Sequence, residues 1–219
     1  LVGEPFFVVP CIGGITVCGI VVKENLQQKI KLANKLMKDV RVLSIFEAES
    51  SEFNSNLTKT DLEILEQLIK EPRKKIESIS KDSGLSTKTI TRCIEKLHEN
   101  EGIQFTVIYD PIKIQGFIPH AILAWIDGDL RETLKKMNEE FHDSFMQMPF
   151  IAKNQIVLFM YSNDIFGMDE LAQRVRNMDS VKSIDLFIPK MISLPLKWLE
   201  QSITEAKKSP TLHLGYQTN

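Results

Sequence analysis

The spacing of apolar positions changes twice within the first fifty residues. Residues 5–22 carry no charged side chain, and prolines and a glycine pair interrupt their β-branched residues. Proline and paired glycines break a helix, and β-branched residues favour strands. This run therefore predicts strand, turn and strand rather than a membrane span. Apolar residues recur at helical spacing over 24–37, and β-type residues return over 40–47. Residues 1–50 are therefore predicted to form a βαβ half-module.

A wholly helical pattern follows over residues 57–103, after a polar linker at 50–56. The pattern predicts a first helix over about 59–70, with Thr58 or Thr60 as its cap, and a second over 74–82. A third helix is expected to begin after a Ser86 cap and to continue to about Glu99. Gly84 provides the turn before it, and Gly102 closes the block. Three helices with a glycine turn before the last are typical of a helix-turn-helix module, here of the winged type.

Alternating strands and helices occupy the rest of the chain. Residues 104–118 are expected to form a hinge strand, and 195–219 a C-terminal amphipathic helix and tail. The region between them, 119–194, predicts β-α-β-β-α-β, a ferredoxin-like sandwich, so the fold class is α+β. Its elements are a strand over 120–127, a helix over 129–142, strands over 145–152 and 155–162, a helix over 168–178 and a strand over 181–192.

A weak internal repeat relates the two ends of this arrangement. Residues 6–36 and 105–141 share the order strand, turn, strand and helix. A duplicated regulatory module and two ordinary units of the same kind are both compatible with this order. Because the sequence opens with Leu1 rather than methionine, we expect an upstream segment, and whether it carries a further helix-turn-helix is open.

Composition places the chain among globular proteins and leaves its partners to local features. Of 219 residues, 43% are hydrophobic and 26% charged, with a net charge of −2. No global positive field indicates nucleic acid, so any such function must lie in a local patch. Three cysteines without CxxC spacing favour reduced thiols and a cytoplasmic protein. The chain lacks phosphate-loop, zinc-protease and dinucleotide motifs, and we expect no metal, no cofactor and no membrane partner.

The predicted third helix has the strongest functional pattern. On a helical wheel, Ile90, Cys93, Ile94 and Leu97 share one face. Lys88, Arg92 and Lys96 line the opposite face, with threonines towards the N-terminus and acids towards the C-terminus. This polarity suits a recognition helix that enters a DNA groove by its N-terminus. The predicted DNA-binding residues are Ser86, Thr87, Lys88, Thr91, Arg92 and Lys96, with Arg73, Lys74 and Lys75 placed for the DNA backbone.

The same stripe also fits two plainer interpretations. Lysine and glutamate at i and i+4 are common on solvated helix faces, and the block has as many acids as bases. Small helical modules also serve as protein-binding platforms. The wheel alone therefore leaves DNA binding, solvation and protein binding open.

Residues 57–103 resemble the helix-turn-helix of the Lrp/AsnC (feast/famine) transcriptional regulators. The matching features are Leu57, Asp61, Ile64-Leu65, Arg73, Gly84-Leu85-Ser86, Arg92, Leu97 and Gly102-Ile103. The β-α-β-β-α-β order that follows is similar to the regulatory domain of that family. The resemblance implies a sequence-specific regulator that dimerises, or assembles further, through this domain. It also implies that the assembled heads bind palindromic double-stranded DNA.

Two departures from that family affect the expectations. Residues 1–50 are an addition similar to half a regulatory domain. The family's Gly-Asp turn, near which amino-acid effectors lie, is replaced by 151–155. We therefore place the candidate effector site at Lys153, Asn154 and Gln155 and leave open whether it binds another ligand or none.

An enzyme of similar architecture is the main alternative. Tetrapyrrole (siroheme) decarboxylases resemble this order of modules, and proton chemistry there needs basic groups that converge in a pocket. His98, His120, His142 and His213 are scattered, without a shared strand or helix face. No catalytic residue is therefore proposed, and we expect that the protein is not an enzyme.

Overall fold

A computed structural model of the chain describes residues 1–42, 44–45, 47, 57–99, 103, 105 and 107–208. The chain divides into two compact units. The first unit lies within Leu1–Glu49 and Val107–Leu194, and the second within Ser50–Thr106 and Pro195–Asn219. Each unit thus combines two separate stretches of chain. The predicted linker over 50–56 lies outside the described residues.

The N-terminal stretch begins as a β-hairpin. Strands β1 (Glu4–Pro10) and β2 (Thr16–Val21) pair antiparallel. A short 3-10 turn over Ile12–Gly14 joins them. Gly13 and Gly14 have φ of +85° and +79°, values that glycine adopts without a steric penalty. The predicted order strand, turn, strand is confirmed.

The strand predicted to follow helix α1 (Leu26–Leu36) is not formed by the described residues. In the region 40–47, the described residues 40–42, 44, 45 and 47 form no strand. Val40 is 63% exposed and Ile45 is 40% exposed. Their strand preference therefore goes unused, because it acts mainly through packing on neighbouring strands. Over these described residues the half-module is strand, strand and helix, and the βαβ prediction is wrong.

Strand β1 is also bonded along its second edge, within the same unit. The Val8 N–H donates to the Ser193 carbonyl oxygen at 2.9 Å, and the Ser193 N–H donates back at 3.0 Å. The Lys190 N–H donates to the Pro10 carbonyl oxygen at 2.8 Å. These bonds attach the N-terminal hairpin to residues 188–193.

Three consecutive helices form the expected helix-turn-helix: α2 (Lys59–Lys70), α3 (Ile76–Ser83) and α4 (Thr87–His98). Gly84 has a φ of +70° after α3, so the chain turns there without strain. The second helix begins two residues later than predicted because the backbone of Lys75, the residue before it, is extended. The predicted closing glycine, Gly102, lies outside the described residues.

The predicted hinge strand over 104–118 is wrong for the residues described there. Residues 105 and 107–117 form no strand, and the next strand begins only at Ile118. The interruption has a local cause at Asp110, which precedes Pro111. Its side chain accepts from the Ile112 N–H at 3.2 Å, and its carbonyl accepts from the Lys113 N–H at 3.0 Å. These two bonds close a turn and compete with strand pairing.

The ferredoxin-like sandwich has the predicted element order. Its sheet runs β4-β5-β3-β6, with every neighbouring pair antiparallel. The elements are β3 (Ile118–Ile126), α5 (Leu130–Phe141), β4 (Phe145–Ala152), β5 (Gln155–Ser162), α6 (Ile165–Arg176) and β6 (Val181–Phe187).

The core of the sandwich lies between the sheet and its two helices. Ile122 and Ala124 of β3 are fully buried, as are Met137 of α5 and Val175 of α6. The β3 members of this core, Ile122, Ala124 and Ile126, lie at every second position, so they share the face of the sheet that packs against the helices. The predicted α+β class is confirmed.

Helix α7 (Lys197–Lys208) belongs to the helical unit. Its Ile203 is 1% exposed and joins the core that contains Leu62, Ile79 and Leu97, all fully buried. The predicted C-terminal helix is present, but the sequence pattern did not indicate that it completes the helix-turn-helix core. None of the described helices has the length and apolar character needed to cross a membrane.

Candidate nucleic-acid interface

Helix α4 has the orientation that its wheel predicts. Ile90 and Leu97 are fully buried, which fixes the apolar face against the other helices of the unit. Thr87, Lys88 and Arg92 are exposed on the other side. The first turn contains no acidic residue. The N-terminal half of α4 therefore presents two cations and the positive end of the helix dipole to solvent.

The hydroxyl groups near this end are engaged in local bonds. The Ser86 hydroxyl caps α4 by accepting from the Thr89 N–H at 3.2 Å, and it lies 2.9 Å from the Thr89 hydroxyl. The Thr91 hydroxyl donates to the Thr87 carbonyl at 3.0 Å. The Ser86 hydroxyl thus caps the helix, and the hydroxyl proton of Thr91 is used within it.

Lys96 differs from the two other cations of the stripe. Its ammonium group donates to Asp61 Oδ2 at 2.5 Å, and the Asp61 side chain is only 2% exposed. Lys96 therefore links α4 to the start of α2. The Lys96 side chain is 43% exposed, and its predicted contact with DNA stays a prediction.

Asp61 collects several donors on one buried oxygen. The Thr58 N–H and the Thr58 hydroxyl reach Oδ2 at 2.7 and 2.8 Å, and the Asp61 N–H donates back to the hydroxyl at 3.2 Å. This reciprocal pair is a capping box at the start of α2. Burial raises the pKa of Asp61, but the bonds from Lys96 and Thr58 outweigh it and hold that pKa below its ordinary value.

The basic cluster before α3 also divides into engaged and exposed members. Lys74 donates to Gln67 Oε1 at 2.8 Å and pairs with Asp82, and its side chain is 16% exposed. It therefore joins α2 to α3. Arg73 and Lys75 are exposed. Of the predicted backbone contacts, these two remain accessible.

An open groove of about 520 Å³ lies between the start of α2 and the exposed side of α4. Thr58 and Thr89 contribute hydroxyl groups to its lining, and Arg92 contributes a cation. Glu95 and Glu99 also line the groove, so the end of the groove near the C-terminus of α4 is acidic. A polyanion is therefore favoured only towards the Thr89 and Arg92 end.

The three candidate effector residues do not form one site. Lys153 (φ +49°) and Asn154 are exposed in the turn between β4 and β5. The Asn154 carbonyl accepts from the Ile126 N–H at 2.8 Å. Gln155 is fully buried, and neither polar atom of its side-chain amide has a hydrogen-bond partner among the described residues. Effector binding at this turn stays a prediction.

The histidines have unlike surroundings. In the helical unit, the His98 ring stacks on Phe105 at 4.3 Å between centroids. In the other unit, His120 is buried in β3, where burial lowers its pKa, and His142 is exposed beside Asp143. His213 lies outside the described residues. Within the described part, no group of three or more His, Cys, Asp or Glu is arranged to hold a metal ion.

Two features of this interface escaped the sequence pattern. The Thr58-x-x-Asp61 spacing signals a capping box and could have assigned Asp61. The Lys96 contact joins residues 35 positions apart, and no local periodicity reveals it. The same holds for Ile203, which reaches the core from a helix about 100 residues beyond α4 in the chain.

A family model described as winged helix-turn-helix DNA-binding matches residues 57–103. This match confirms the predicted helix-turn-helix and identifies its type as DNA-binding. A comparison with the curated proteins finds no match.

Solved structures similar to this chain include several transcriptional regulators. An AsnC family regulator from Agrobacterium tumefaciens is 20% identical, with 65% of this chain and 99% of that chain covered and a TM-score of 0.41. A regulator from Neisseria meningitidis, in complex with L-Met, is 19% identical, with 66% and 99% covered and a TM-score of 0.44. Escherichia coli AsnC is 17% identical, with 64% and 93% covered and a TM-score of 0.38.

Proposed function

We propose that this chain, which carries a winged helix-turn-helix DNA-binding module, is a sequence-specific transcriptional regulator of the Lrp/AsnC type that acts as a homodimer or higher oligomer. The observation that carries this proposal is the geometry of α4. Its Ile90 and Leu97 side chains are fully buried, its first turn has no acid, and Lys88 and Arg92 are exposed on the opposite side.

The proposal assigns unequal roles to the predicted DNA-binding residues. Thr87, Lys88 and Arg92 contact the groove, and Arg73 and Lys75 contact phosphates next to it. Lys96 and Lys74 hold helices together through Asp61, Gln67 and Asp82. Ser86 caps α4, and Thr91 bonds within it.

Dimerisation through the ferredoxin-like domain belongs to the same proposal. A two-fold assembly presents two copies of α4 to a palindromic site, and the spacing between half-sites follows from the symmetry. Cytoplasmic location follows from the proposed role. An effector at Lys153, Asn154 and Gln155 would need to recruit the unpartnered amide of Gln155, which is fully buried in this conformation.

The test begins with selection of duplexes from random DNA by the full-length chain, followed by fluorescence anisotropy at several salt concentrations. If Arg92 bonds to a guanine edge, Arg92→Ala weakens binding to the selected duplex by about 1–3 kcal/mol. If Lys88 contacts a phosphate, Lys88→Met reduces the salt slope, the slope of log K against log salt concentration, by about one. Lys96→Met is expected to leave that slope unchanged, because its charge is already neutralised by Asp61.

Lys35→Met provides the matched control, because Lys35 is an exposed lysine on α1 in the other unit. Wild-type affinity and salt slope in both the Arg92 and the Lys88 variants would contradict the proposed DNA-binding face. A selection that enriches no duplex would contradict the function itself.

A further inference from the structure

Strand β2 has one edge without a partner among the described residues. The hairpin sheet contains only β1 and β2, and β1 is bonded on both sides, to β2 and to the chain around Ser193. Thr16, Cys18 and Ile20 of β2 are exposed. An open edge of this kind is a template for pairing with another strand.

The hydrogen-bond pattern shows which backbone groups lie on that edge. The Cys11 N–H donates to the Ile15 carbonyl at 2.7 Å, and Val9 is opposite Val17 in the same register. Bonded and non-bonded positions alternate in an antiparallel pair. The odd positions of β2 therefore point at β1. The even positions, Thr16, Cys18 and Ile20, direct their N–H and C=O groups outwards.

Charge and proline, two of the usual protections of an edge strand, are absent from β2, and the register shift of the hairpin lies on β1, between Pro5 and Phe7. Charged side chains, prolines and bulges normally prevent edge-to-edge pairing. The six residues of β2 include no charge and no proline, and the charge-free run extends over 5–22. The two prolines of the hairpin strands, Pro5 and Pro10, lie on β1, whose outer edge is already bonded.

We propose that the outer edge of β2 pairs antiparallel with β2 of a second copy of this chain, with Cys18 opposite Cys18 of that copy. This register uses all three outward positions, because Thr16 of each copy then lies opposite Ile20 of the other. The contact is isologous and closes on itself, so pairing leaves neither copy with a free β2 edge. Pairing with a different edge strand would leave an open edge for further addition.

Charge is compatible with this self-pairing. The first charged residues after β2 are Lys23 and Glu24, and in the proposed register they face the glycine turn of the other copy. The two Lys23 residues then lie about 33 Å apart at 3.3 Å per residue, so like charges do not meet. Ile20, which is 44% exposed, gains a cross-strand neighbour.

The pairing is tested with the thiol that the register places on the two-fold axis. Opposing side chains of a bonded pair have Cβ atoms about 5 Å apart, within the span of a short dithiol-reactive crosslinker. Cys11 is buried, and Cys93 lies in the helical unit. We expect a covalent dimer whose crosslinked peptide is Cys18 to Cys18, and loss of that product in Cys18→Ser.

Two further variants separate β2 pairing from any other contact between copies. Thr16→Pro removes an outward N–H without removing a bond to β1 and is expected to reduce the crosslink yield about tenfold. Ile12→Lys is the control, because Ile12 is 60% exposed but lies in the turn outside β2. It should leave the yield unchanged, and circular dichroism checks that both variants fold.

Amide hydrogen exchange provides an independent readout. On raising the protein concentration, the amides of Thr16, Cys18 and Ile20 should become protected, whereas Val17 and Gly19, already bonded to β1, should change little. Absence of a Cys18 crosslink, or a yield that Thr16→Pro does not lower, would overturn the proposal. So would even-numbered amides that stay unprotected at every concentration. These results do not depend on DNA, so they leave the proposed function untouched.

Discussion

The helical unit and the N-terminal hairpin show that apolar content and burial are separate properties. The run 5–22 is charge-free, yet Phe6, Ile12 and Ile20 are 41–60% exposed. The helical block 57–103 has as many acids as bases, yet Leu62, Ile79 and Leu97 are fully buried. Periodic placement gives the helices one common interior face, whereas a two-stranded sheet has two faces and an open edge to cover.

The largest expected effect contrasts the interiors of the two regions. Ile79→Ala leaves a cavity in the helical core and should cost about 3 kcal/mol of unfolding free energy. Ile12→Ala in the hairpin turn should change the stability by less than about 0.5 kcal/mol. The chain has two tryptophans, so urea unfolding can be followed by Trp198 in the helical unit after Trp125→Phe, and by Trp125 after Trp198→Phe. Equal losses of unfolding free energy in Ile79→Ala and Ile12→Ala would refute the contrast between the two regions.

A nearly equal effect is expected at the C-terminal helix. Ile203→Ala should destabilise the helical unit by about 3 kcal/mol, because Ile203 is 1% exposed in the same core as Ile79. Gln201→Ala on the exposed side of α7 is the control and should have little effect. If both α7 variants unfold like the wild type by Trp198 fluorescence, α7 does not contribute to that core.

The same contrast explains how much the sequence could predict. The helices of residues 59–98 depend on local signals, the Thr58 and Ser86 caps and the Gly84 turn, and their bounds are within two residues of the prediction. The sandwich was predictable because its apolar segments have the lengths and spacing of alternating strands and helices. Its strand order was expected from the β-α-β-β-α-β order of elements.

The errors share one physical cause, dependence on a partner distant in sequence. Val40 and Ile45 have β propensity but are exposed and form no strand within the described part of the chain, and the Asp110 turn overrides the hinge strand. In the candidate interface, the exposure of Lys88 and Arg92 follows from the wheel. The engagement of Lys96 depends on Asp61, which approaches only after α2 and α4 pack. Contacts of that kind have no local signature.

An intermediate effect is expected at Asp61, where the helical unit holds a buried charge, whereas the run 5–22 of the hairpin is charge-free. Asp61→Asn should cost about 2 kcal/mol at pH 7, because it weakens the capping box and leaves Lys96 without its carboxylate. The pKa of Asp61 is lowered in the folded state, so its contribution is present above the unfolded pKa of about 3.9 and is lost as pH falls through the lower folded value.

The measurement for Asp61 is urea unfolding followed by Trp198 between pH 3 and pH 7. The wild-type helical unit should lose stability below about pH 4, and Asp61→Asn should show a shallower dependence there. Lys96→Met tests the same bond from the other side and should also make the acid loss shallower, because the folded-state pKa of Asp61 rises towards the unfolded value without its cation. A wild-type pH profile in both variants would show that the Asp61 bonds do not stabilise the helical unit.

The smallest expected changes in unfolding free energy are at two residues with positive φ, one in the sandwich and one after the hairpin. Lys153, in the turn between β4 and β5, and Asn25, before α1, both have positive φ, at +49° and +55°. A lysine in this conformation is strained by Cβ contacts that glycine lacks, so Lys153→Gly should raise the unfolding free energy by about 0.5–1 kcal/mol. Asparagine tolerates the left-handed region better than lysine does. Asn25→Gly should therefore change the unfolding free energy by only a few tenths of a kcal/mol. Urea unfolding followed by Trp125 measures both, and a larger gain at Asn25 than at Lys153 would mean that local side-chain strain is not what distinguishes the two turns.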